Sequence, residues 1–316
     1  MKKPSPWPRR LILAVTLLAG LAVLFSTWFT HRLMVQVLSG QAFSDPDASI
    51  TDPMTLGYRG TPQQAFGLPF EEIAIETPLG AAPAWWVPGT PGSKTAAIFV
   101  HGIGGAREDG YLYLRDLHAA GLPVLMMTYR NDAGAPASPE GLRLFGVTEW
   151  QDLQAAVAAL QTRGIDKVVL IGASMGGGIV GQFLGHSTLA DRVTAVILDA
   201  PALDFPMVMQ HITDRLGLPL RSIGVPLAIS AFALTHGEYM GHAQVIPVLA
   251  NFKGPILLFH GSADRIVPAD ISFALLEARA GGTTFLHTRG DHLQSQRAEP
   301  DRFSALLRDF LTTLPR

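Results

Sequence analysis

Ser174 stands in Gly172–Ala173–Ser174–Met175–Gly176, a G-x-S-x-G that directly follows the apolar run Lys167–Ile171. A serine hydroxyl is a poor nucleophile until a base removes its proton, and it must project clear of its own backbone to reach a carbonyl carbon. A sharp strand-to-helix turn provides that projection, and glycines two residues before and two after leave room for the adjoining strand and helix. In a chain with 32 glycines the pattern is weak by itself. Its context, a strand before and the glycine-rich helical stretch from Gly176 after, gives it weight.

The base that fits is His292, in Thr288–Arg289–Gly290–Asp291–His292, on a loop between the last apolar run and the C-terminal helical stretch. The acid that fits is Asp264, in Phe259–His260–Gly261–Ser262–Ala263–Asp264–Arg265–Ile266–Val267–Pro268, just beyond the preceding run. A carboxylate there can fix the imidazole tautomer and stabilise the imidazolium formed during proton transfer. Asp199, at the end of the run before, is the rival acid. Asp291 reads as a loop residue, because a neighbour in sequence rarely reaches the far ring nitrogen. A tetrahedral oxyanion needs two donors, and the backbone N–H groups of Met175 and of Ile103, in Val100–His101–Gly102–Ile103–Gly104–Gly105, are placed to supply them.

These groups lie far apart along the chain, so a regular framework must bring them together. From residue 70 onward, apolar β-rich runs alternate with glycine-rich turns and helical stretches. The expected strands are Glu72–Glu76, Ala84–Val87, Ala96–Val100, Pro123–Thr128, Lys167–Ile171, Ala195–Leu198, Ile256–Phe259 and Thr284–His287, the first two forming a hairpin. Several are continuous apolar runs, as strands covered on both faces should be. Expected helices are Tyr111–Ala120, Val147–Thr162, Gly176–Leu184, Ile271–Ala280 and Pro300–Leu314. In the second of them Leu153, Val157 and Leu160 give one buried stripe. The alternation implies an α/β fold with a mostly parallel sheet and helices on both faces. Residues 202–250 break the rhythm and read as a helical lid inserted over the site.

Together, His101-Gly102, Gly172-x-Ser174-x-Gly176, His260-Gly261-x-x-Asp264-x-x-Val267-Pro268 and Gly290-x-His292 resemble the α/β-hydrolase superfamily. Closest in pattern is its serine aminopeptidase and monoacylglycerol-lipase-like branch, with membrane-anchored members. The resemblance covers residues 70–316. It implies an eight-stranded core and hydrolysis of a carboxylic ester, thioester or amide through an acyl-serine intermediate, with no cofactor. Tyr129–Asp132 falls where that family turns after its fourth strand, a structural or pocket-lining position. The histidine loop departs from the family in carrying Asp291 where a small or uncharged residue is commoner.

Two other readings compete. Gly176-Gly177-Gly178-Ile179-Val180-Gly181 satisfies G-x-G-x-x-G, with Asp199 about twenty residues on, as an NAD(P)-binding oxidoreductase would require. Its first glycine, however, lies inside the expected helix, and that reading leaves Ser174, Asp264 and His292 idle. A catalytically silent binding protein on the same frame would need a broken constellation, which the sequence does not show. The ten histidines are scattered without metal-ligand spacing, so no metal is expected.

Composition narrows the remaining choices. The 24 basic and 26 acidic residues leave a net charge of −2, which argues against nucleic acid as a partner, and the absence of cysteine excludes thiol chemistry and disulfides. Charged residues are scarce at 16% because of the N-terminus. Residues 1–10 carry Lys2, Lys3, Arg9 and Arg10 and form an expected basic cytoplasmic tail, while Leu11–Phe29 contains no charge. That run is long enough to cross a bilayer, with Trp7 and Trp28 at its flanks. The rival is a cleaved signal peptide. Phe25, Trp28, Phe29 and His31 occupy the stretch where its small residues should be, which favours an uncleaved signal anchor over residues 11–30. Residues 31–69 then read as a stalk and lead-in, and the catalytic domain as extracytoplasmic (periplasmic in a bacterium). The expected partners are the membrane and a small-molecule or lipid acyl substrate.

Overall fold

The computed structural model describes residues 7–40 and 49–314. Lys2 and Lys3 of the basic tail and residues 41–48 of the lead-in lie outside the described residues. Among the described residues there are eight strands: β1 (Glu71–Thr77), β2 (Gly80–Val87), β3 (Thr95–Val100), β4 (Val124–Met127), β5 (Lys167–Ala173), β6 (Val193–Asp199), β7 (Ile256–Gly261) and β8 (Thr283–Thr288). They form one sheet in the order β1-β2-β4-β3-β5-β6-β7-β8. The β1–β2 hairpin is antiparallel and β2 pairs antiparallel with β4, while every pair from β4 to β8 is parallel.

The helices are α1 (Trp7–Leu38), α2 (Pro62–Phe66), α3 (Tyr111–Ala119), α4 (Trp150–Thr162), α5 (Met175–His186), α6 (Phe205–Arg215), α7 (Arg221–His236), α8 (Ile246–Asn251), α9 (Asp270–Ala278), α10 (Ser295–Ala298) and α11 (Pro300–Thr312). Alternate residues of each central strand feed two cores. Ile98, Val100, Val168 and Leu170 pack with Leu153, Val157, Ile179 and Ile271 from α4, α5 and α9. Ala97, Phe99, Val169 and Ile171 pack on the other face with Leu114 of α3 and Phe303, Leu307 and Phe310 of α11. This two-sided burial is why the strands read as unbroken apolar runs.

Differences from the expected spans have local causes. Helix α4 starts at Trp150, three residues late, because the buried Glu149 carboxylate accepts the N–H groups of Leu144 (2.6 Å) and Gly146 (2.9 Å). That holds the preceding residues in a turn with positive φ at Phe145 and Gly146. Segment 202–250 folds as α6, α7 and most of α8, between β6 and β7. Helix α1 is apolar and long enough to cross a membrane, with a mean hydropathy of 2.2 over its most apolar window. It runs on to Leu38, because Met34, Val37 and Leu38 continue a buried face that enters the main core. Its C-terminal part packs along α7.

One buried ion pair fixes the turn after β4. Arg130 donates from Nε (2.8 Å) and Nη2 (2.8 Å) to the two oxygens of Asp152, and its backbone N–H also reaches Asp152 (2.9 Å). Both side chains are almost fully enclosed. Burial alone would weaken the guanidinium charge, but Asp152 more than restores it and raises the Arg130 pKa. Removing one partner strands a charge. Asp152→Ala should therefore lower stability by about 3–5 kcal/mol, read as a drop in thermal unfolding midpoint, and an unchanged midpoint would contradict this reading of the pair.

Candidate active site

The turn between β5 and α5 places Ser174 at φ 51°, ψ −119°, a conformation that costs a non-glycine residue about 1–3 kcal/mol. Three backbone hydrogen bonds hold it: the Ser174 N–H donates to the Asp199 carbonyl (2.9 Å), while the Ser174 carbonyl accepts from Gly177 (2.9 Å) and Ala202 (2.9 Å). The flanking glycines are sterically required. A Cβ on Gly172 would lie 2.7 Å from the Gly176 carbonyl oxygen, and one on Gly176 would lie 2.1 Å from that of Val100. These clashes are with backbone and cannot be relieved by rotating a side chain.

Three loops at the C-terminal edge of the parallel strands meet at this turn. The Ser174 Oγ donates to His292 Nε2 at 2.9 Å, and His292 Nδ1 donates to Asp264 Oδ2 at 2.7 Å. Asp264 also accepts from the backbone N–H groups of Ile266 and Val267, both at 2.9 Å. Burial pushes its carboxyl upward, but hydrogen bonds from His260 and His292 outweigh that and hold it well below the usual carboxylate range. His260 is locked in turn: Nε2 donates to the Val267 carbonyl (3.1 Å) and Nδ1 accepts from Ser272 (2.7 Å). The structure thus joins Ser174, His292 and Asp264 into one chain of hydrogen bonds.

The two other acids have different duties. Asp291 caps its own loop by accepting the His292 backbone N–H (2.8 Å) and pairs with Arg265 Nε (2.7 Å). The charge that departs from the family pattern thereby ties the histidine loop to the acid loop. Asp199 accepts the Tyr113 hydroxyl (2.8 Å) and leaves Oδ1 buried without a partner. Neither reaches the His292 ring.

On the other side of Ser174, the loop after β3 passes directly over its hydroxyl: a Cβ on Gly102 would come within 2.9 Å of Ser174 Cβ and 3.5 Å of Oγ. Ile103 follows it and lines a cavity of about 570 Å³ together with Gly104, Arg107, Asp132, Arg143 and Leu293. Met175, on the opposite flank, opens α5. The loop is held by a network the sequence does not reveal. His101 is fully buried, stacks on Tyr129 with ring centroids 4.3 Å apart, and donates from Nε2 to Asp132 (2.8 Å). Burial disfavours its protonated form, but Asp132 outweighs that and raises its pKa. Arg143 pairs with Asp132 (3.3 Å) and also reaches the Ser39 carbonyl just beyond α1 (3.3 Å). The His-Gly dipeptide marks His101 as notable, but nothing in local spacing connects it to residues 132, 143 and 39.

The glycine run of α5 has no space for a nucleotide. Cβ atoms at Gly176, Gly177, Gly178 and Gly181 would strike Val100, Pro201, Phe145 and Val245 respectively. These glycines let the helix press against the sheet and the lid base.

Burial pushes the Asp199 carboxyl up to about 6, against the Tyr113 hydrogen bond and the nearby His260 and His292, which pull it down. An acid whose folded pKa is raised costs stability once ionised. The folded state therefore loses stability as pH rises from about 4 to about 6. Asp199→Asn does not titrate, so it should be more stable than the parent chain at pH ~7 by about 2–3 kcal/mol and lose that advantage near pH ~4. Unfolding curves at the two pH values measure this, and a pH-independent difference would refute it.

Comparison with known proteins agrees with this fold. The sequence model of the alpha/beta hydrolase family matches residues 97–306. An uncharacterized Mycobacterium tuberculosis protein, Rv2307c, is 25% identical over 215 residues, covering 66% of this chain and 67% of its own length. The uncharacterized protein YfhR of Salmonella typhimurium is 25% identical over 243 residues, covering 71% and 74%. Among solved structures, the Pyrococcus furiosus esterase Pf2001 superposes with a TM-score of 0.62 at 18% identity, covering 86% of this chain and 98% of that one. A thermophilic esterase from Thermogutta terrifontis gives 0.56 at 18% identity, covering 77% and 98%. The eight-stranded sheet, the G-x-S-x-G turn and the length of the match together make this chain a member of the alpha/beta hydrolase family.

Proposed function

We propose that the protein is a membrane-anchored serine hydrolase that cleaves a carboxylic ester through an acyl-serine intermediate. The carrying observation is the unbroken Ser174–His292–Asp264 hydrogen-bond chain, at 2.9 Å and 2.7 Å, on the edge of the sheet. In this reading Ser174 Oγ attacks the acyl carbon as His292 Nε2 takes its proton. Asp264 keeps Nδ1 protonated and stabilises the imidazolium. The oxyanion is held by the backbone N–H groups of Met175 and Ile103. His292 then protonates the departing alcohol, and a water activated by the same ring releases the acid.

The esterases among the structural neighbours support ester over amide cleavage. The cavity beside Ile103 carries Arg59, Arg107, Arg143, Glu108, Asp109 and Asp132, which suits a polar part of the substrate better than a long acyl chain. Thioesters and amides, including peptides, are the second choice. The uncharged run of α1 supports an uncleaved anchor with the catalytic domain outside the cytoplasm.

Ser174→Ala should abolish both turnover of short p-nitrophenyl esters and labelling by a fluorophosphonate probe. Full labelling of that variant would move the nucleophile elsewhere, and an unlabelled, inactive parent chain would favour a silent binding protein. Asp264→Asn should keep the fold while lowering kcat roughly 10⁴-fold, since the imidazole would then be held in the wrong tautomer. A loss of less than tenfold in steady-state assays would return Asp199 to consideration as the acid.

A further inference from the structure

Helix α1 has less free length than a bilayer requires. From Leu11 to Leu21 its side chains are exposed, and contact with the rest of the protein begins at Ala22. Those free residues span about 17 Å at ~1.5 Å per residue, roughly half of a ~30 Å hydrocarbon core. If α1 crosses the membrane, the section packed on α7 must lie in hydrocarbon too, and α7 with it.

The contact has the character of helix pairing in lipid. Ser26 and Thr30, one turn apart on α1, are fully buried. On α7 the buried Gly224 approaches so closely that a Cβ there would lie 2.2 Å from Ser26 Oγ, and Ala228 is buried one turn later. Small residues spaced by four on both helices permit backbone approach where no water is available to drive apolar association. The helices run in the same direction, since His31 further along α1 meets Thr235 and lies against the Phe232 and His236 rings at a tilt.

The outer face of α7 is apolar in a way that suits neither water nor a protein core. Its exposed residues are Ser222, Ile223, Pro226, Leu227, Ser230, Leu234 and Thr235, and no charge lies between Arg221 and His236. Leu234 is 90% exposed, Ile223 49% and Leu227 46%. Ser230 donates back to the Pro226 carbonyl (3.0 Å), and Thr235 to that of Ala231 (3.1 Å), so both hydroxyls are satisfied without solvent. The turn leading into α7 presents Leu216 (57% exposed) and Leu220 (41%). Of the charged residues beside it, Asp214 and Arg221 are paired with each other, and the exposed Arg215 has a stem long enough to carry its guanidinium out to the headgroups.

We propose that the lid is seated in the membrane: the 216–220 turn and the outer face of α7 lie among the acyl chains of the bilayer that α1 enters. The occupant of this face is phospholipid hydrocarbon, because the face is continuous with α1 and uncharged along its whole length. The proposal rests on the reading of α1 as an anchor and is independent of the hydrolytic chemistry.

The sequence contains no cysteine, so single probes can be placed in the full-length chain without other changes. Leu216→Cys, Leu227→Cys, Leu17→Cys and Glu277→Cys would each be labelled with a nitrobenzoxadiazole fluorophore and reconstituted into phosphatidylcholine–phosphatidylglycerol vesicles. Doxyl-labelled phospholipid should quench positions 17, 216 and 227 severalfold more than position 277, with blue-shifted emission. Quenching at 17 with water-like emission at both 216 and 227 would overturn the seated lid while leaving the anchor intact. Failure at 17 as well would overturn both. Fluorophosphonate labelling of Ser174 in the same vesicles reports the hydrolase reading separately, so the two can fail independently.

Discussion

The backbone at Ser174 is held where a non-glycine residue does not rest of its own accord, and the site depends on that one turn. A hydroxyl aimed out of the sheet edge requires positive φ, and positive φ persists only where surrounding structure enforces it. Here the enforcement comes from backbone on three sides: the end of β6, the first turn of α5 and the residues after Asp199 all bond to Ser174. Relaxing any of them would turn the hydroxyl back toward the helix and away from His292. The glycines at 172 and 176 are the steric condition for this arrangement.

Electrostatics follow from the same enclosure. Asp264 and Asp199 both sit at strand ends within the field of the same two histidines, yet their carboxyls move in opposite directions. Asp264 accepts two backbone N–H groups and is within bonding reach of both imidazoles, so its charge is well solvated by the protein. Asp199 has a tyrosine hydroxyl on one oxygen and nothing on the other. Two carboxylates at or beyond the ends of adjacent strands are thereby separated into one that stays charged beside His292 and one poised to take up a proton.

Sequence reveals the parts of this molecule governed by local rules. Strands buried on both faces appear as apolar runs, and the positions just after β5, β7 and β8 single out Ser174, Asp264 and His292 because the C-terminal ends of parallel strands lie along one edge of the sheet. What local rules do not govern stays hidden. The late start of α4 follows from a buried Glu149 whose partners precede it by three and five residues, in a turn that competes with helix. The brace on the loop over Ser174 joins His101, Asp132, Arg143 and Ser39, which share no periodicity. The continuation of α1 to Leu38 is explained only by the core it enters, which is assembled from strands and lid helices much later in the chain.

That separation has a temporal side. His31 and Thr235 touch across 204 residues, so during synthesis α1 emerges long before the helix it packs against. At ~5–20 residues per second, the interval is on the order of 10–40 s. Over that time the whole of β3 to β6 is made, whereas docking of α7 must wait for residues 221–236. Helix α7 therefore docks onto a helix that has been waiting without its mate.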